Sequence, residues 1–357
     1  MAPQTLATDD VYKGSLVNYE DVTRKRTRIS AERRQRACQI LCGLPELLPG
    51  RRWALARACL LEFSFVALFF YVHISIVRAC IGHFTNPGVP IAIGHALIVP
   101  VFIWSAGPGS GGHLVNTITF ATALTGHTSW VRCALYLVSQ IVGSFVGTWM
   151  TYHSIGWDFT GIDDAAKPEY VYNNMAGCVL GSHSTTSAFV QEFMCTLVLL
   201  VAAYGLAFDP LNGKLFAPYL APPLIGMVLG LIIFFSAGLS VTPASPPGMT
   251  LHICLAPAVV SGHMPSHMWI YLVGPALAAL FHSVIFYVAP PEHEQGGCFQ
   301  PPLLKELVES ATVKDIESIQ PIDFPSVLSS GTCTSAATTT RAAYDKDTVN
   351  DAPRSVG

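Results

Sequence analysis

The amino-acid sequence predicts an all-α membrane fold: six transmembrane helices plus two re-entrant half-helices, arranged as an inverted repeat. Three observations predict it. Of the 357 residues, 51% are hydrophobic and only 12% charged, whereas a water-facing surface needs roughly a quarter or more charged; the bilayer is therefore the expected solvent. Apolar runs near the roughly 20 residues needed to cross hydrocarbon recur between residues 54 and 289. Residues of one half also reappear in the other half at a nearly constant distance.

The spans fall at about 54–77, 89–106, 131–151, 186–207, 217–238 and 268–289, each bounded by charged or Pro/Gly-rich segments. Two further apolar stretches, 114–125 and 250–260, are too short to cross. Each follows a Gly- or Pro-rich turn, the pattern of a half-helix that dips into the membrane and returns. The organisation expected is a basic cytoplasmic N-terminal tail over 1–52, a membrane channel domain over 53–290 and a disordered cytoplasmic C-terminal tail over 291–357. Within the membrane domain, repeat one covers about 53–151 and repeat two about 186–290. The C-terminal tail is rich in Ser, Thr, Ala and Pro and cannot bury a core.

Lys and Arg gather before the first span, from Arg24 to Arg52, and hold that side in the cytoplasm. An even number of spans then places both termini there. Residues 1–36 are polar and basic, so no cleavable leader is expected. Without an organelle signal the default location is the plasma membrane.

The repeat can be counted. Glu62-Phe63 returns as Glu192-Phe193, 130 residues on. Tyr136-Leu137-Val138 returns as Tyr271-Leu272-Val273, and Val115 of the first short segment matches Thr250 of the second, each 135 residues on. Three spans per half make the second copy enter from the opposite face. The two short helices then meet N-terminus to N-terminus near the midplane, where their dipoles disfavour cations while a neutral solute can pass along exposed carbonyls. A carboxylate in hydrocarbon survives only when partnered, so Glu62 and Glu192 are expected to accept hydrogen bonds from the backbone of the two half-helix loops.

Ten cysteines show no CxxC pair and no metal spacing. Cys59, Cys195 and Cys254 read as small buried hydrophobes, and the outer loops offer only Cys80 and Cys178, so no disulfide framework and no metal are expected. His252, His263 and His267 share one outer stretch without carboxylates, and Gly107 to Gly112 leads into a hydrophobic half-helix with no Lys-Ser/Thr after it. Neither an enzyme, a cofactor nor a nucleic-acid partner is expected.

Several motifs carry a family resemblance. Ser110-Gly111-Gly112-His113-Leu114 precedes the first short helix and Thr119-Phe120 lies inside it; Gly248-Met249 and Cys254-Leu255-Ala256-Pro257-Ala258-Val259 flank the start of the second. With Arg57, Arg132, Tyr136, Gln140, Gly143 and Gly274-Pro275, these resemble the aquaporin (major intrinsic protein) channels over about 50–290. The Cys directly after the last selectivity position resembles the uncategorised X intrinsic protein subgroup. The resemblance implies an aquaporin-like channel in the lipid bilayer for water or small neutral solutes, assembled as a homotetramer.

The pore motifs depart from the family pattern. Its two Asn-Pro-Ala boxes are replaced by Val115-Asn116-Thr117 and Thr250-Leu251-His252. In the family the two amides cap the half-helices and donate to the permeating molecule. Thr250 retains a hydroxyl for both tasks and Val115 has none, while Asn116 comes one residue late, about 100° round an ideal helix. Counting back from the boxes without gaps, the four selectivity-filter positions fall on His95, Gly238, Pro247 and Ile253, the last in place of an arginine. His95 either lines the pore or is satisfied between packed helices, and His252 faces either the pore or the vestibule. Two functions follow: a passive channel whose small Gly238 and lost arginine favour a wider, less polar constriction, or a non-conducting protein of the same fold with an interaction or regulatory role.

Overall fold

The computed structural model describes residues 41–155, 167–209, 212, 219–239 and 245–288. Most of the N-terminal tail and all of the C-terminal tail lie outside the described residues. Among these, the helices are α1 (Arg52–His83), α2 (Gly88–Ser110), α3 (Asn116–Leu124), α4 (Trp130–Ile155), α5 (Pro168–Asn174), α6 (Thr185–Ala203), α7 (Ala221–Ala237), α8 (Leu251–Ser261) and α9 (Ile270–Val288). A π-helical turn, Tyr204–Phe208, extends α6.

Helices α1, α2, α4, α9 and α6 with its turn are long and apolar enough to cross a membrane. The sixth expected span is α7, which at 17 residues stands at the lower limit of roughly 17 for a spanning helix. The short stretches form α3 and α8, of 9 and 11 residues. Helix α5, in the connection between α4 and α6, has no counterpart among the expected elements.

The long helices are apolar on all sides, and burial follows the 3.6-residue period. In α1 the inward face carries Ala58, Glu62, Val66, Phe70, His73 and Val77, while Leu60, Leu68 and Tyr71 point outward. With lipid outside there is no hydrophobic drive between helices, so close packing must hold them together. Two small-residue pairs at four-residue spacing provide it. A Cβ added at Gly143 or Gly147 of α4 would lie 2.5 or 2.2 Å from the carbonyl oxygens of Phe63 and Ala67 in α1. At Gly226 and Gly230 of α7 it would lie 2.8 and 2.9 Å from those of Ala96 and Ala92 in α2.

The chain is also tied ahead of α1. A 3-10 turn, Leu44–Leu47, sets Glu46 against Arg132 of α4, with Nε and Nη2 donating at 3.0 and 2.9 Å, and against the Ser129 hydroxyl at 2.7 Å. Arg132 continues to the Tyr136 hydroxyl at 3.4 Å, which donates to the carbonyl of Ser110 at 2.7 Å. This polar chain ends at the loop that opens the first half-helix.

Candidate pore

The two half-helices are held from behind by glutamates. Glu62 is fully buried: Oε1 accepts the Ser110 hydroxyl (2.6 Å) and the His113 N–H (3.1 Å), and Oε2 accepts the Leu114 N–H and the Gln140 amide, both at 2.9 Å. Glu192 accepts the N–H groups of Gly248 (2.6 Å) and Met249 (2.9 Å). His113 and Leu114 correspond to Gly248 and Met249 at the 135-residue offset of the repeat, so each carboxylate grips the same two amides of its own half.

That grip bends the backbone. Leu114 and Met249 adopt φ of 58° and 54°, a left-handed conformation that disfavours a side chain by about 1–2 kcal/mol. The turn lets Val115 and Thr250 stand as N-caps of α3 and α8, and neither makes a side-chain capping bond. The positive ends of both helices therefore face the centre of the fold.

Beside this junction runs a cavity of about 780 Å³. It reaches from Phe84 and Asn86, beyond the C-terminal end of α1, past the centre at Val115 and Thr250 to Ile118. The wall between is mostly apolar, with Leu229, Ile233 and Ala237 presented by α7 at four-residue spacing. Opposite polarity comes from two imidazoles that line the cavity together: His73 Nδ1 in α1 lies 2.7 Å from His95 Nε2 in α2.

The cavity wall is also fastened covalently. Cys178, in the loop after α5, forms a disulfide with Cys254 of α8, next to Ile253. The expectation of no disulfide, with Cys254 as a buried hydrophobe, is corrected here: the fold brings the two Cα atoms within 5.3 Å across 76 residues, a proximity that cysteine spacing does not carry. Tyr172 braces the same loop, its hydroxyl accepting from Cys178 N–H at 2.8 Å and donating to Cys178 O at 3.0 Å. Burial pushes the Tyr172 phenol above its ordinary range, so it stays a donor.

An apolar-walled passage flanked by two opposed half-helices is channel architecture, and residues 50–286 match the family model described as Major intrinsic protein. The chain belongs to the major intrinsic protein family. It is a membrane channel for water or small solutes, and not an enzyme. This major intrinsic protein is 31% identical over 202 residues to Aquaporin-1 of Rhizophagus irregularis, covering 56% of this chain and 64% of that one. It is 29% identical over 253 residues to the Probable aquaporin TIP1-2 of Oryza sativa subsp. japonica, covering 67% and 90%. In fold it is similar to the aquaglyceroporin from Plasmodium falciparum, with a TM-score of 0.54 at 18% identity over 66% of this chain and 98% of that one.

Not every residue singled out in the sequence reaches the cavity of this major intrinsic protein. His95, Val115, Pro247, Thr250 and Ile253 line it. Gly238 does not: it follows the last residue of α7 and is exposed, and Ile233 faces the cavity instead. Counting back from the second box without gaps stops at Gly238, five residues short of Ile233. Asn116, Thr117, Leu251 and His252 stand outside the lining.

Asn116, Thr117 and His252 instead join the half-helices. The Asn116 amide donates to Gln140 at 3.1 Å and its oxygen meets His252 Nδ1. His252 is fully buried, 5.1 Å from the Phe70 ring, and so reaches neither pore nor vestibule. Thr250 does not cap α8; its hydroxyl lies 3.0 Å from His252 Nδ1. Sequence reasoning missed His73 and Ile233. A histidine within an apolar span is itself a signal of function, which would have found the first. Among the described residues no His, Cys, Asp and Glu group has metal-binding geometry.

Proposed function

We propose that this channel favours compact uncharged solutes of glycerol or urea size over water alone, through a filter formed by His95, Pro247, Ile253 and Ile233. The observation that carries the reading is the presence of both Ile253 and Ile233 on the cavity wall. Two aliphatic side chains there offer no hydrogen bond in exchange for the solvation a water molecule gives up, whereas a solute with carbon atoms of its own gains contact with them. Glu62 and Glu192 act as supports that keep the half-helix ends aimed at the centre.

The assembly is a homotetramer with one pore in each subunit, set in the plasma membrane with both termini in the cytoplasm. The family membership supports the first, and the basic residues from Arg24 to Arg52 the last. Cys254 directly after Ile253 supports placement in the X intrinsic protein subgroup.

Stopped-flow light scattering on proteoliposomes tests the reading. Shrinkage in an impermeant osmolyte should exceed that of empty vesicles only modestly, and reswelling in glycerol or urea should be strongly accelerated. Glycerol and urea rates equal to those of empty vesicles, with folded protein, would refute it.

A further inference from the structure

The directions of the hydrogen bonds in the His73–His95 pair follow from one fixed point. His95 Nδ1 lies 2.8 Å from the carbonyl oxygen of Ile91, which can only accept, so Nδ1 carries the proton and His95 Nε2 holds a lone pair. That lone pair faces His73 Nδ1 at 2.7 Å, so His73 Nδ1 donates. The proton of His73 is then committed, and its Nε2 is left as a lone pair. Reversing the chain would set two lone pairs, those of Ile91 O and His95 Nδ1, against each other. A second proton would put a cation among Phe69, Phe70 and Val99, with no acidic side chain among the described residues against either ring.

His73 Nε2 is buried and has no hydrogen-bond partner among the described residues. The side chain as a whole is 8% exposed and lines the cavity. Its orientation is set by Phe69, stacked at 6.0 Å and 15°, and by Phe70, edge-on at 6.0 Å. Leu229, Ile233 and Ile253 on the cavity wall bring no donor, and no donor among the described residues, the Thr250 hydroxyl included, lies within hydrogen-bond distance of it. A buried acceptor without a donor is unfavourable, and nothing among the described residues supplies one.

We propose that His73 Nε2 is an acceptor subsite in the pore wall, which selects solutes bearing an O–H or N–H donor, polyols and ureas, over compact solutes that only accept. This rests on the channel reading above and names the chemistry that the apolar filter leaves unstated. His95 is a positioning residue, since it acts by fixing the His73 tautomer.

The test compares glycerol with dimethyl sulfoxide, a compact acceptor without a donor, in proteoliposomes of the full chain and in bilayers of ¹⁵N-histidine-labelled protein. His73→Phe keeps a ring and removes the acceptor, so the protein-mediated glycerol rate should fall about fivefold to tenfold, the worth of one ordinary hydrogen bond, with dimethyl sulfoxide unchanged. His73→Gln, which retains a carbonyl acceptor, should recover most of the glycerol rate. Equal losses for both solutes, or none, would overturn the subsite. If the wild type conducts neither solute the channel reading fails, and the spectrum decides the subsite separately. The His73 Nε2 resonance, that of an unprotonated nitrogen, should move upfield with glycerol and not with dimethyl sulfoxide; an unmoved resonance overturns the proposal.

Discussion

The Thr117 hydroxyl donates to the carbonyl of Met249 at 2.7 Å, across 132 residues of sequence. It ties the first half-helix to the residue that precedes the second, and both groups are buried. Thr117→Val keeps the shape and removes the donor, leaving a buried carbonyl unsatisfied. A loss of about 1–3 kcal/mol in stability is expected, read as a lowered thermal midpoint in detergent with the helical circular dichroism unchanged.

The two supporting glutamates should respond unequally to amide substitution. Glu62 accepts four donors and Glu192 two backbone donors. An amide at either place sets an NH₂ against an N–H. Glu62→Gln should destabilise by about 3 kcal/mol or more and Glu192→Gln by less. Size-exclusion profiles of the purified variants check the order, and an equal effect would contradict it.

The Cys178–Cys254 disulfide closes a separation of 76 residues and should contribute about 2–4 kcal/mol by restricting the unfolded chain. The double substitution to serine should lower the thermal midpoint accordingly. In the folded wild type, mild reductant should leave the midpoint unchanged, because Cys178 and Cys254 are 1% and 0% exposed. Labelling of free thiols after reduction measures this directly.

Ile233 and Gly238 can be separated by bulk. Ile233→Trp places an indole in the cavity and should bring solute flux close to that of empty vesicles. Gly238→Trp should change flux little, since an added Cβ there meets only the Phe235 carbonyl, at 3.6 Å. Reswelling rates of the two variants in glycerol decide between the gapless count and the folded geometry.

His127 lies between α3 and α4, with its Nδ1 2.9 Å from the Thr125 hydroxyl, which in turn meets the Tyr204 hydroxyl at 2.7 Å. Burial lowers its pKa to about 4. The fold therefore favours neutral imidazole: nothing is lost above the ordinary value near 6.5, and stability falls as the unfolded chain takes up the proton between about 6.5 and 4, by at most about 3 kcal/mol. The thermal midpoint of His127→Gln should fall less steeply than that of the wild type between pH 7 and 4.5.

The elements of this protein were legible because the bilayer imposes simple rules. Length and hydropathy mark the helices that cross, and a short apolar run after a Gly-rich turn marks one that does not. Glu62 and Glu192 stood out because a carboxylate in hydrocarbon demands a partner, and their symmetric spacing indicated which partner. The filter was read less well. Gly238 was reached by counting through a loop whose length nothing in this chain calibrates, and a shift of five residues moved the wall to Ile233.

Sequence by itself determined the six spans, the inverted repeat and the two half-helices, since each follows from the period or the transfer energy of nearby residues. Tertiary structure alone decided that Asn116 and His252 join the half-helices instead of facing the lumen, that Cys178 meets Cys254, and that His73 leans on His95 with one lone pair unspent. Each of these depends on the rotation of one helix against another, set by contacts between residues tens to more than a hundred positions apart, and no local pattern of side chains encodes that angle.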